Sequence, residues 1–403
     1  MAHPQKILTL NTISRKGLAR LPQHFVVGND LTDPDAILVR SQEMREMPIP
    51  VSVVAIGRAG AGTNNIPLPA MSARGVVVFN APGANSNAVK ELVLAGMLLG
   101  ARNLLPALNF VASLEGDEAS LHARVEAGKK AFVGHELPGR TLGVVGLGAI
   151  GSLVAGAAIQ LGMNVIGYDP EITVEAAWRL PSQVRKAASV DELVRHSDFI
   201  SLHVPLLPAT RDLIDAGRVK RMKKGCVLLN FARDGLVNEE AVLAGLNDNR
   251  IHAYVCDFPS TVLKAHPRFV ALPHLGASTE EAEENCAVMV AEQLTDYLDN
   301  GNILNSVNFP NISLAREADF RLAIANANVP NMLGQISTTL AAASLNIHDM
   351  VNKSKGELAF TLVDVDSIPT DVLLARLAAI PGVLRVRFLP RVSAPRLHPL
   401  LPT

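Results

Sequence analysis

Aromatic side chains are scarce in this 403-residue chain, at 4% of the sequence with a single tryptophan. That leaves little with which to stack nucleobases. An excess of charge of one sign is missing too. Lys and Arg number 37 against 38 Asp and Glu, a net charge of −1, which argues against nucleic acid or an anionic membrane as a partner. Cysteine is sparse: Cys226, Cys256 and Cys286 fall without metal-ligand spacing, and two of them sit in apolar, strand-like runs. Buried free thiols in a reducing, cytoplasmic setting are expected, with no metal. No signal-type apolar core follows Met1-Ala2-His3-Pro4-Gln5-Lys6, which agrees with that location. The uncharged stretch from Thr141 to Tyr168 has the length of a membrane span, but seven glycines interrupt it. A bilayer helix is therefore not expected. What is abundant is apolar mass, 48% against 19% charged residues, enough for large cores in two or three domains.

The same stretch carries the strongest local pattern. Thr141–Val145 is a short β-prone run that breaks at Gly146. Ser152–Leu161 reads as a small-residue helix, Gly162-Met163-Asn164 turns the chain, and Val165–Tyr168 is a second strand ending on Asp169. Strand, glycine turn, helix and strand closed by an acid make a dinucleotide-binding unit. Gly146 makes the tight turn, Gly148 lets backbone approach a pyrophosphate, and Gly151 lets helix and strand pack closely. The helix N-terminus offers N–H groups to phosphate. Asp169 suits ribose hydroxyls and repels a 2′-phosphate, so NAD is favoured over NADP.

Elsewhere, short apolar runs alternate with helix-compatible segments. Lys6–Leu10, Phe25–Val27, Ala36–Val39, Val51–Ile56 and Val76–Phe79 predict a parallel sheet, whose binding loops lie at the carboxyl ends of its strands. One such loop, Gly57-Arg58-Ala59-Gly60-Ala61-Gly62, exposes backbone N–H groups and a guanidinium suited to a carboxylate. Another, Asn80 to Glu91, precedes a long apolar helix from Leu92 to about Phe110, which Ser86 or Asn87 is placed to cap. His203 and Pro205 end a strand and face the cofactor crevice. Val227–Asp234 and Ala253–Asp257 are buried strands with polar tips, and His274 follows Pro273 at a further strand end. Glu280–Asp299 is an amphipathic helix, and Asn305–Asp319 is polar and irregular. Phe320–Leu389 reads strand, helix, strand, strand, helix, strand. Trp178 and the histidines at 3, 24, 122 and 398 are given no function.

In this order the motifs Arg58–Gly62, Asn80–Asn85, Gly146–Gly151, Leu202–Leu206, Asn230–Arg233 and Pro273–Ser278 resemble those of the D-isomer-specific 2-hydroxyacid dehydrogenases carrying a C-terminal ACT module. The resemblance covers nearly all of residues 1–390. It implies an α/β fold of two doubly wound parallel-sheet lobes plus a βαββαβ module. The substrate lobe is expected over 1–91 and 277–305, and the NAD lobe over 92–276. A linker is expected over 306–319, the ACT module over 320–390 and a disordered tail over 391–403. It implies that Arg233 binds the substrate carboxylate with help from the backbone of Ala59, Gly60, Ala61 and Gly62, that His274 is the general acid/base, and that Arg58 meets the substrate's anionic end. Cofactor contacts are implied for Ala149, Ile150, Asp169, His203, Pro205, Phe231, Ala232, Arg233, Asp257, His274, Gly276 and Ala277. Imidazole suits removal of a hydroxyl proton, and a forked guanidinium suits an α-carboxylate. The implied reaction is NAD-dependent oxidation of 3-phospho-D-glycerate to 3-phosphohydroxypyruvate, the first step toward L-serine. Alternatives are the same chemistry on glycerate/hydroxypyruvate or 2-hydroxyglutarate, and an NAD-binding sensor with decayed catalysis. A homodimer or homotetramer is implied.

The chain departs from the family pattern at several points. The glutamate that normally pairs with the histidine is absent, and Thr261 falls about where it is expected. An altered but working site that favours alcohol oxidation follows. Asp234 stands where glycine is common, placed to pair with Arg233 or to replace the missing carboxylate. In the C-terminal module Asn331 replaces a usual glycine and Asn326 a histidine, while Asn328 and Asn346 match the asparagines with which ACT modules hold an amino acid. An L-serine effector site is the expectation there.

Overall fold

In the computed structural model, residues 4–391 are described. His3, His398 and positions 392–403 of the expected tail lie outside them. The backbone forms two compact units, Met1–Ala84 with Glu283–Thr403, and Asn85–Ala282.

The first unit opens with β1 (Lys6–Leu10), β2 (Val26–Gly28), β3 (Ala36–Val39), β4 (Ala55–Arg58) and β5 (Val77–Phe79), a parallel sheet in the order β2-β1-β3-β4-β5. The run expected as a strand from Val51 joins the sheet only at Ala55. Val51 is 84% exposed in a turn.

In the second unit β6 (Thr141–Val145), β7 (Asn164–Tyr168), β8 (Arg185–Lys186), β9 (Phe199–Leu202), β10 (Cys226–Asn230), β11 (Ile251–Cys256) and β12 (Phe269–Ala271) form a parallel sheet ordered β12-β11-β10-β9-β6-β7-β8. The winding reverses between β6 and β9. In such sheets that reversal, at the carboxyl ends, opens the ligand crevice. The apolar helix expected to run from Leu92 to Phe110 is instead two helices, Ser86–Arg102 and Leu104–Ala112, bent by 68°. Asn103 makes the break at φ 50°, a left-handed conformation that asparagine tolerates. Neither Ser86 nor Asn87 caps the first helix. Asn85 stands at the cap with no side-chain bond, and the Asn87 amide donates to Glu91 one turn on. Among the described residues no single helix is long and apolar enough to cross a membrane.

The C-terminal segment belongs to the first unit and has the βαββαβ order. β13 (Phe320–Ala327), β14 (Ile347–Lys355), β15 (Leu358–Val365) and β16 (Val383–Pro390) form an antiparallel sheet ordered β14-β15-β13-β16, with helices over Met332–Ala342 and Asp371–Ala378. Alternate residues face opposite sides. Leu322, Ile324, Val363 and Val365 pack on the module's own helices. Ala323, Ala325, Phe360 and Leu362 join Phe79, Leu294, Tyr297 and Phe309 in the core of the lobe. Residues 305–319 are irregular, as their polarity predicts, yet Ser306, Asn308, Phe309 and Ile312 are buried. The Asn308 carboxamide accepts from the Val78 N–H at 3.0 Å, tying the segment along β5. Arg321, in the middle of this apolar sheet, is fully buried and forks onto Asp364 at 2.5 and 2.8 Å.

Candidate active site

The glycine turn between β6 and its helix explains each glycine separately. Gly146 has φ 90°, and a Cβ there would lie 2.5 Å from the His203 carbonyl oxygen. A Cβ on Gly151 would lie 1.9 Å from the Gly146 carbonyl oxygen, so only glycine lets this helix sit on its strand. Gly148 is different, because nothing lies within 4 Å of where its Cβ would be. It keeps open the mouth of the turn, where the helix Ala149–Gln160 begins with no acidic residue in its first turn. The leading N–H groups of that helix, on Ala149, Ile150 and Gly151, have no intrahelical acceptor and suit a pyrophosphate. Asp169 Oδ2 accepts from the Leu147 N–H at 2.8 Å and Oδ1 from the Glu171 N–H at 3.0 Å. Each oxygen keeps a lone pair for a ribose hydroxyl. A dinucleotide fits these residues.

Along the same sheet edge stand the ends of β9, β10, β11 and β12. At β9 the His203 Nε2 meets the Ser201 Oγ at 2.8 Å, while its Nδ1 is buried without a partner. Burial holds this imidazole's pKa down to about 4, so it is neutral. Part of the residue's surface reaches solvent, but Nδ1 does not. Pro205 beyond it is exposed. At β10 the buried Asn230 folds the chain back: its amide donates to the Arg233 carbonyl at 2.9 Å and its oxygen accepts from the Ala232 N–H at 3.2 Å. Phe231 is thereby buried and Arg233 exposed, with one guanidinium N–H on the Ala232 carbonyl at 2.6 Å. Asp234 does not pair with Arg233; its carboxylate takes the Gly235 N–H at 2.9 Å.

At β11 Asp257 is 1% exposed, and its two oxygens accept from the Leu275 and Gly276 N–H groups, each at 2.7 Å. This brace shapes the turn after β12 that carries His274. His274 is solvent-exposed, sits at φ 59° and meets the Phe258 ring edge-on at 5.4 Å. A left-handed non-glycine residue costs about 1–3 kcal/mol and persists only where its surroundings impose it. Among the described residues no carboxylate bonds to His274. Thr261 is exposed, and Asp234 is occupied as described. Ala277, next along, is exposed.

In the first unit, Arg58 closes β4 and lies across Gly60, whose Cβ would fall 1.8 Å from the Arg58 Nη1. The loop's N–H groups are not equivalent. Ala59 donates to the Val39 carbonyl and Gly60 to the Arg58 carbonyl, which leaves those of Ala61 and Gly62 for a ligand. The Asn80 amide donates to the Ala61 carbonyl at 2.6 Å, and the Ala81 N–H to the Gly60 carbonyl at 3.0 Å. The bracing roles of Asn80, Asn230 and Asp257 escape sequence reading. Their only local signal is a polar residue ending an apolar strand. In the C-terminal module the Asn328 amide donates to the Gly356 carbonyl at 3.0 Å, and the Asn346 N–H to Asp366 at 3.2 Å. Asn331 takes the left-handed conformation, φ 62°, that the usual glycine would. Asn326 is buried, accepting from the Thr361 hydroxyl at 3.2 Å.

A glycine turn open to a pyrophosphate, an acid placed for ribose hydroxyls, and an imidazole and a guanidinium at carboxyl ends of the same parallel sheet suit a dinucleotide-dependent oxidoreductase. Comparison with known proteins agrees. Residues 106–276 match the model of the D-isomer specific 2-hydroxyacid dehydrogenase NAD-binding domain. D-3-phosphoglycerate dehydrogenase of Haemophilus influenzae is 35% identical over 84% of this chain and 81% of its own. The Methanocaldococcus jannaschii protein of that name is 37% identical over 83% of this chain and 62% of its own. The NAD+-bound 3-phosphoglycerate dehydrogenase of Entamoeba histolytica superimposes with a TM-score of 0.57 at 27% identity, over 75% of this chain and 98% of that one. The chain belongs to the D-isomer-specific 2-hydroxyacid dehydrogenase family. It is an NAD-dependent dehydrogenase of a small 2-hydroxy acid.

Proposed function

We propose that this chain oxidises 3-phospho-D-glycerate to 3-phosphohydroxypyruvate with NAD, the step that opens a route to L-serine. The observation that carries the substrate is its similarity to relatives named for that compound, at 35% and 37% identity. Bound NAD supplies the hydride acceptor. The chain's own residues do the rest. The Arg233 guanidinium, free of any ion pair among the described residues, takes the substrate carboxylate through two parallel N–H bonds. His274 accepts the hydroxyl proton as the C–H bond breaks. Arg58, with the Ala61 and Gly62 N–H groups, holds the anionic end. NADH absorbance is expected to grow on adding 3-phosphoglycerate and far less with D-glycerate or D-2-hydroxyglutarate. A preference for either of the latter overturns the substrate, and no turnover with any of them, despite NAD binding, favours an NAD-binding sensor. That second reading draws on the bare His274.

Two further assignments belong to this proposal. The C-terminal module is an ACT-type module that takes L-serine as effector through Asn328 and Asn346, supported by Asn331 holding the backbone of the ligand turn. Calorimetry of the full chain with L-serine tests it, and an absence of heat counts against it. The chain is also a homodimer or homotetramer. The nine-residue helix Leu104–Ala112 has no buried residue, and it exposes Leu108 by 64% and Val111 by 57%, an apolar face that a second copy would cover. The three free, buried cysteines fit a reducing, cytoplasmic location.

A further inference from the structure

The first unit carries a concave surface bordered by Asn80. It is a cleft of about 540 Å³ where the end of β14 meets the 305–311 segment and the loop after β5. Its walls include Asn80, Asn305, Asn311, Phe309, Lys353 and Lys355, and no Asp or Glu. The cleft is open to solvent, a shallow bay rather than an enclosed pocket. Phe309 is its one aromatic wall and is fully buried, so there is no face on which a nucleobase would stack.

The polar groups are arranged for an anion. Lys355 Nζ donates to the Ser306 and Val307 carbonyls at 3.2 and 3.1 Å, which fixes its charge at the wall and leaves one N–H over. Lys353 is exposed, and among the described residues its Nζ has no partner. Asn311 uses its oxygen to accept from the Asn305 N–H at 3.0 Å, so its NH2 group remains as a donor. Two ammonium groups and an amide converge with no carboxylate to neutralise them. One wall is also connected elsewhere: Asn80, through its amide, holds the Ala61 carbonyl of the Arg58 loop at 2.6 Å.

We propose that this cleft is an effector site for a small oxyanion bearing two or more negative charges, a phosphate monoester or a polycarboxylate, and that its occupancy reaches the Gly60–Gly62 loop through Asn80. The binding half stands without the proposed reaction. Only the coupling half rests on the role given to Arg58. An oxyanion that bridges Lys353 and Lys355 and touches Asn80 favours one setting of the loop. By linkage, the loop's ligand then alters the oxyanion's affinity by the same factor.

The test is calorimetry of the full-length protein with inorganic phosphate and with citrate, which separates the two sources of charge. Lys353→Glu is the variant, because that side chain is exposed and unpartnered, and its thermal midpoint is expected to stay at that of the parent. Binding of at least one probe is expected, weakened by about tenfold or more in K353E. With the probe bound, the KM for the hydroxy acid is expected to shift in the parent and not in K353E. Equal heats in the two proteins, which would place the anion elsewhere, or no heat from either probe at about 10 mM, overturns the site. A tenfold loss in K353E without any shift in KM overturns the coupling alone.

Discussion

Replacing Arg321 by methionine tests how the C-terminal sheet is held. Arg321 and Asp364 are 0% and 1% exposed, and the guanidinium also donates to the Asn300, Leu314 and Ala315 carbonyls at 3.1, 2.9 and 2.9 Å. Methionine fills the space but strands a buried carboxylate, at a cost of about 3–5 kcal/mol. The three carbonyls lose their donor as well, each costing roughly 1 kcal/mol where water does not replace it. Together the loss is about 6–8 kcal/mol, which in a unit of this size lowers its midpoint by roughly 12–30 °C. Arg321→Met with Asp364→Leu removes the stranded charge and leaves only the carbonyls, so about 3 kcal/mol of the loss is expected back. Scanning calorimetry of the full chain reads both variants. A single variant that melts within about 2 °C of the parent, or a double variant no better than the single, would refute the reasoning.

Other outcomes follow from individual residues. Gly151→Ala drives a methyl into the Gly146 carbonyl, 1.9 Å away, so NAD binding measured by calorimetry is expected to be lost along with about 1–3 kcal/mol of stability. Asp169→Asn should weaken NAD by about tenfold while improving NADP relative to NAD, read as a ratio of kcat/KM. Unchanged selectivity would take the ribose from Asp169. His203, with its pKa held near 4 by burial, stays neutral in the folded chain while the unfolded chain gains a proton below about 6.5. Its contribution, roughly 2–3 kcal/mol, is present at neutral pH and is lost as pH falls from about 6.5 through 4. His203→Asn should therefore flatten the fall of urea stability across that window, and an unchanged slope contradicts the assignment.

Much of the molecule was legible where the signal is local. The glycine turn, Asp169 and the βαββαβ order each occupy a short stretch whose residue types dictate the backbone. Asn103 was not legible as a break, since the apolar pattern runs straight through it and only its left-handed backbone divides the helix. The 305–319 segment reads as a polar linker because Asn308 is polar, although that amide and its acceptor are satisfied inside the lobe. Asn80, Asn230 and Asp257 share the same physics. Asn80 is read as the start of a loop and Asn230 and Asp257 as polar strand tips, yet each turns back to hold the loop that presents Arg58, Arg233 or His274. Such bonds join residues whose proximity only the fold creates. Thr261 shows in the sequence that the usual glutamate is missing, whereas what Asp234 does instead needed the turn at Gly235.

The central claim is that His274 and Arg233 act together on one NAD-linked 2-hydroxy acid, and turnover with 3-phosphoglycerate in three proteins tests it most directly. The parent is expected to produce NADH. His274→Gln is expected to lose about 10²–10⁴ in kcat with NAD affinity intact, and Arg233→Lys to raise KM because the two-pronged bond to the carboxylate is gone. His274→Gln turning over at the parent's rate would contradict the assignment of the proton to that imidazole.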